Sequence, residues 1–62
     1  MCLARVMTEK KGEEDSLAEE VALIRLEGPN ILLRTFLGKD RVLKAKIKEI
    51  DFMNSTVLIE ED

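Results

Sequence analysis

A lone cysteine at position 2 and the complete absence of histidine constrain this chain before any pattern is read. At 62 residues it is one small domain, spanning 1–62, and such chains bury too small a share of their surface to be stable with ease. They usually draw on disulfides, a bound metal or a second copy. One cysteine excludes an internal disulfide and every multi-cysteine zinc framework. Without histidine, a metal site within one copy needs carboxylates, backbone groups or water. A two-fold dimer changes this, because each Cys2 can then meet its mate.

The apolar residues fall into short runs separated by turn signals. Cys2-Leu3-Ala4-Arg5-Val6-Met7 reads as a first strand, and the charged stretch from Glu9 to Asp15 as a solvated loop. Ser16 to Leu26 supports two readings. Ser16-Leu17-Ala18-Glu19 matches a helix capping box, with Leu17, Val21 and Ile24 at helical spacing. Against it stands an alternation of Ala22, Ile24 and Leu26 with Leu23, Arg25 and Glu27, closed by the turn Gly28-Pro29-Asn30. The strand Val21–Glu27 is preferred, with residues 16–20 as a short extended piece or one helical turn.

Ile31 to Leu37 reads as the next strand, closed by Gly38-Lys39-Asp40. Arg41 to Ile50 alternates, with Leu43, Ala45 and Ile47 inward and Lys44, Lys46 and Lys48 outward. A turn at Asp51–Asn54 leads to a last strand, Ser55–Ile59, and a frayed acidic tail at Glu60, Glu61 and Asp62. The expected core or interface comprises Val6, Ile24, Leu26, Ile31, Leu33, Leu43, Ala45, Ile47, Ile50, Val57 and Ile59, with Met7 and Met53 filling gaps. Gly28 and Gly38 are expected at positive φ. Short strands joined by tight turns predict an all-β fold, a small SH3-like barrel of five to seven strands that removes exposed edges. Apolar residues on both faces, as in Ile31-Leu32-Leu33 and Val57-Leu58-Ile59, predict a second buried surface and hence a homodimer.

Function classes narrow in the same way. There is no secretory segment and no apolar run long enough to span a bilayer, and a free thiol fits a reducing cytoplasm, the expected location. Net charge is −3, and Phe36 and Phe52 are the only aromatics, which opposes base stacking and nucleic-acid binding. The one basic concentration is Lys39, Arg41, Lys44, Lys46 and Lys48, giving residues 39–48 a local charge of +4. A row of cations could track phosphates, but a solvated strand face that protects an edge is preferred. No nucleophile, base and orienting group can be named together, so an enzyme is not expected.

The amino terminus offers more chemistry. The Cys2 thiolate, the Cys2 backbone nitrogen and the terminal amine (on Met1 if that residue is retained) form a soft, strong-field donor set. It suits Ni(II) or Cu(II) in a planar site. Two thiolates would also suit tetrahedral Zn(II).

Met1-Cys2-x-Ala4-x-Val6, Gly12-Glu13-Glu14, Val21-Ala22-x-Ile24, Gly28, Gly38 and Lys46-Ile47-Lys48-Glu49-Ile50-Asp51 followed by Asn54 together resemble the CooT-type nickel-binding proteins. These are accessory proteins linked to carbon monoxide dehydrogenase maturation, a family also described as RNA-binding. The resemblance implies an SH3-like barrel, a homodimer and Ni(II) bound through Cys2. Family members often carry Glu at position 3, where this chain has Leu3. The expected partners are a second copy and a nickel enzyme such as carbon monoxide dehydrogenase, without nucleic acid or membrane.

Overall fold

A computed structural model describes residues 3–10 and 12–61. Five strands account for most of them: β1 (Ala4–Lys10), β2 (Glu13–Glu27), β3 (Asn30–Thr35), β4 (Asp40–Asp51) and β5 (Thr56–Glu61). Neighbours pair antiparallel from β1 to β5, and β5 returns to pair parallel with β1, closing a barrel. The all-β barrel expected from the alternating pattern is therefore present. Closure satisfies the backbone groups that a small open sheet would leave along its edges.

β2 differs most from expectation. Of the expected loop Glu9–Asp15, Glu9 and Lys10 belong to β1 and residues 13–15 to β2, and residues 16–20 take the extended alternative rather than the helical turn, so that 13–27 form one 15-residue strand. A strand this long must bend to wrap a small barrel, and β-bulges supply that bend. Opposite β1, the register shifts between the pairs Ala4↔Val21 and Val6↔Ala18, and again before Met7↔Ser16. Opposite β3 it shifts between Val21↔Thr35 and Leu23↔Arg34. Glu20 lies within the bend at φ 55°, and its carbonyl accepts the Phe36 N–H at 2.8 Å. The capping-box pattern loses because the carboxylates of Glu13, Glu14 and Asp15 can remain in water on a two-stranded ribbon while Leu17 and Ala18 turn toward the core.

Val6, Val21, Ile31, Leu33, Ala45, Val57 and Ile59 form the buried core, with Leu43, Ile47 and Ile24 packed against it. Burial of side chains such as Leu33 and Ile59, at 1 % and 0 % exposure, contributes about 1.5–3 kcal/mol each. Leu26 and Ile50 pair with Ile31 and Val57 and so share the inward side, yet both lie at barrel ends and are 66 % and 50 % exposed. Met53, at 94 %, is a surface residue of the β4–β5 turn rather than a gap-filler.

The strand after the Gly28 turn ends at Thr35, earlier than expected, because Phe36 and Leu37 form a tight hairpin in which Gly38 N–H donates to the Thr35 carbonyl at 2.9 Å. β5 continues through Glu60 and Glu61, so these two are paired strand residues rather than a frayed tail; Asp62 lies outside the described residues.

Gly28 and Gly38 take the expected positive φ, 61° and 87°. A side chain at Gly38 would meet no neighbour within 4 Å, so the requirement there is backbone conformation alone. Gly38→Ala should destabilise by about 1–2 kcal/mol, the cost of a left-handed L-residue. Leu33→Ala should cost about 2–5 kcal/mol through the cavity it leaves. Urea denaturation checks both.

Candidate functional site

The amino-terminal strand leads into a pole of the barrel where two grooves meet. The Arg5 N–H donates to the Ser55 carbonyl at 2.8 Å, which ties the start of β1 to the β4–β5 turn. Leu3 and Ala4 therefore border both grooves. One, about 420 Å³, is apolar, with Leu23, Ile24, Ile50 and Phe52 among its walls. The other, about 270 Å³, is polar, with Arg5, Glu19, Glu20 and Asn54. Phe52 at this pole is 87 % exposed. Among the described residues, the two non-glycine positions with positive φ, Glu20 at 55° and Ser55 at 49°, both line the polar groove.

Met1 and Cys2, the expected metal ligands, lie outside the described residues. Cys2 is joined directly to Leu3, which borders the two grooves. Among the described residues no three carboxylates stand close enough together to hold a metal ion. Glu19 and Glu20, the carboxylates that share the polar groove with Leu3, carried no metal-spacing signal. Their place beside Leu3 is a product of the β2 bend, which local spacing does not encode.

The turn beyond the apolar groove is held by Asp51. Its carboxylate accepts the Asn54 N–H at 3.1 Å and the Asn54 side-chain amide at 2.7 Å. The side-chain bond, aided by the backbone bond, holds the Asp51 carboxyl below its ordinary value. This is a local side-chain-to-backbone cap on the turn, legible in principle from Asp followed three residues later by Asn.

The five basic residues do not form one row. Lys44 and Lys46 are exposed on β4, as the alternation required. Lys48 sits at a bulge, since the register shifts between Ile47↔Ile59 and Glu49↔Leu58. Its ammonium lies 2.6 Å from a Glu9 carboxylate oxygen and 3.9 Å from one of Glu60. The hydrogen bond to Glu9 raises its pKa. Lys46 faces Glu60 across the register. Arg41 reaches the Leu17 carbonyl at 3.5 Å, and Lys39 lies in the hairpin, where its N–H donates to the Thr35 hydroxyl. Arg34 instead pairs with Asp40, at 2.7 and 3.1 Å. Carboxylates thus interrupt the cationic surface that phosphate tracking needs.

These features define a class, a small closed β-barrel with an apolar and a polar groove meeting at the pole where β1 starts. The family model for the CO dehydrogenase accessory protein CooT matches residues 1–60. The crystal structure of a protein assigned as CooT from Carboxydothermus hydrogenoformans superimposes with a TM-score of 0.90, at 26 % identity and with 98 % of each chain covered. Comparison with curated proteins gives no match. The chain belongs to the CooT family of CO dehydrogenase accessory proteins. No helix among the described residues is long and apolar enough to cross a membrane.

The Asp51 cap has a defined pH signature. A carboxyl depressed in the folded state contributes stability that is complete above its unfolded pKa and is lost as pH falls through the folded value. Asp51→Ala should lower Tm by a constant amount near neutrality. That deficit should shrink below about pH 4, the ordinary carboxylate range, and vanish under stronger acid. Thermal melts of both proteins from pH 7 to pH 2 check this.

Proposed function

We propose that this chain is a cytoplasmic Ni(II)-binding accessory protein that serves a nickel enzyme, CO dehydrogenase or its maturation machinery, through a site shared by two copies. The observation that carries the reading is the family match, which begins at residue 1 and so includes Cys2. The donor chemistry fits the metal. Thiolate with amine or amide nitrogen is a strong-field set, and two such pairs complete a planar site. One copy supplies half of it, and no carboxylate cluster among the described residues supplies the rest.

The apolar groove supports the shared arrangement. Leu3 borders it, and Ile50 and Phe52 expose apolar surface there. A second copy covering this pole would remove that surface from water and bring the two Cys2 residues together. Leu3 adds an apolar contact where a carboxylate would oppose such burial.

The test is Ni(II) titration into reduced, anaerobic protein and into Cys2→Ser, following thiolate-to-nickel charge transfer, with intact mass to establish amino-terminal processing. The expected result is saturation near one nickel per two chains, lost in the variant. Affinity should rise with pH, because binding displaces protons from the thiol (pKa ~8.5) and the terminal amine (pKa ~8). No binding, equal binding by Cys2→Ser, or preferential tetrahedral Zn(II) uptake would overturn the reading. Phe52→Asp should shift the chain toward monomer in sedimentation velocity and weaken nickel binding with it; a dimer left intact would remove this pole as the interface.

A further inference from the structure

A third groove, of about 420 Å³, lies on the outer face of the strands ordered β2–β1–β5–β4 and away from the apolar groove's inward-facing walls. The register builds it in rows. Met7, Leu58 and Glu49 stand side by side on β1, β5 and β4. Arg5, Thr56 and Asp51 form the row toward the β4–β5 turn. On the other side, Glu9 and Glu60 are joined by the Lys48 ion pairs.

Met7 and Leu58 give this groove an apolar floor on a face that alternation would otherwise make polar. Leu58 is only 8 % exposed. Glu14, Glu49 and Asp51 stand around them. Among the described residues none of these three forms an ion pair, while Arg5, the one cation lining the groove, is paired with Glu19 at 3.2 Å. No metal-holding cluster of carboxylates is present among the described residues, so a single cation is not the natural occupant. The acidic rim repels phosphate and anionic lipid.

We propose that this groove docks a basic, apolar-bearing segment of a protein partner, with its apolar side chains on Met7 and Leu58 and its lysines or arginines against Glu14, Glu49 and Asp51. Apolar contact at the centre and opposite charge at the rim are the usual division of labour in a specific interface. The inference deepens the accessory reading by giving the chemistry of the partner. It does not rest on nickel, so either can fail alone.

The test uses the full chain, isotopically labelled for NMR, and a short peptide alternating lysine and leucine. Two control peptides replace lysine by glutamate or leucine by serine. The proposal expects amide shifts centred on Met7, Glu49 and Leu58 with the first peptide alone. The double reversal Glu14→Lys with Glu49→Lys should weaken binding by about tenfold or more, and added salt should weaken it too. Glu27→Lys, on another part of the barrel, should leave binding unchanged. Because Glu14 and Glu49 are exposed, the reversed chain should keep its fold, checked by its remaining amide spectrum. No shifts, equal binding of the serine peptide, indifference to the reversal, or the same shifts on concentrating the protein without peptide would each overturn the proposal, the last by making a second copy the occupant. The same titration with Cys2→Ser should give the same result.

Discussion

The parallel pairing of the first and last strands is the constraint on which the rest of this structure depends. β1 and β5 are each paired antiparallel on one side and parallel on the other. That pairing places Val6 beside Val57 and brings Ile59 into the same core, and Val6 and Ile59 are both fully buried. Without it the sheet would have two free edges and an open core, which a chain of this size could not offset. Closure also fixes where β1 starts. The Arg5–Ser55 hydrogen bond fastens that start to the β4–β5 turn, and the Asp51–Asn54 contacts hold the turn.

Closure therefore separates the molecule into surfaces of different character. One pole gathers the start of β1, the bend of β2 and the β4–β5 turn, and exposes Phe52 and Ile50. The outer face of β1, β5 and the second half of β4 is acidic around Met7 and Leu58. Lys44 and Lys46 lie exposed on β4, while the Lys48 bulge takes one lysine out of their alternation. An accessory protein has to hold something and meet something. Here the proposed metal pole and the proposed partner face lie on the two sides of the barrel wall and meet at Arg5, Asp51, Asn54 and Thr56.

Much of the fold was legible in the sequence, because short-range signals and burial agree there. Gly28-Pro29-Asn30 ends one strand and begins another, Gly38 occupies a left-handed position, and Leu43, Ala45 and Ile47 point inward while Lys44 and Lys46 point outward. The failures cluster where tertiary geometry overrides local pattern. Ser16 to Glu20 reads as either a short extended piece or one helical turn; it is extended, as the bent middle of β2, because bulges let one strand serve both neighbours. Leu26 has the right side but the wrong height, since alternation gives direction and not distance from the barrel end. Leu58 has the opposite character: on the outer face, yet covered by its neighbours. The candidate site was legible as chemistry at Cys2 and not as geometry. Glu19 and Glu20 come beside the start of β1 through the β2 bend and Asn54 through closure, and the Lys48 pairing with Glu9 spans 39 residues.

The central claim, a nickel site made from the amino termini of two copies, is tested most directly by X-ray absorption at the nickel edge of the loaded full-length protein. The account predicts a planar four-ligand spectrum with two sulfur and two nitrogen scatterers. A six-coordinate oxygen shell, or a site with no sulfur, would contradict it.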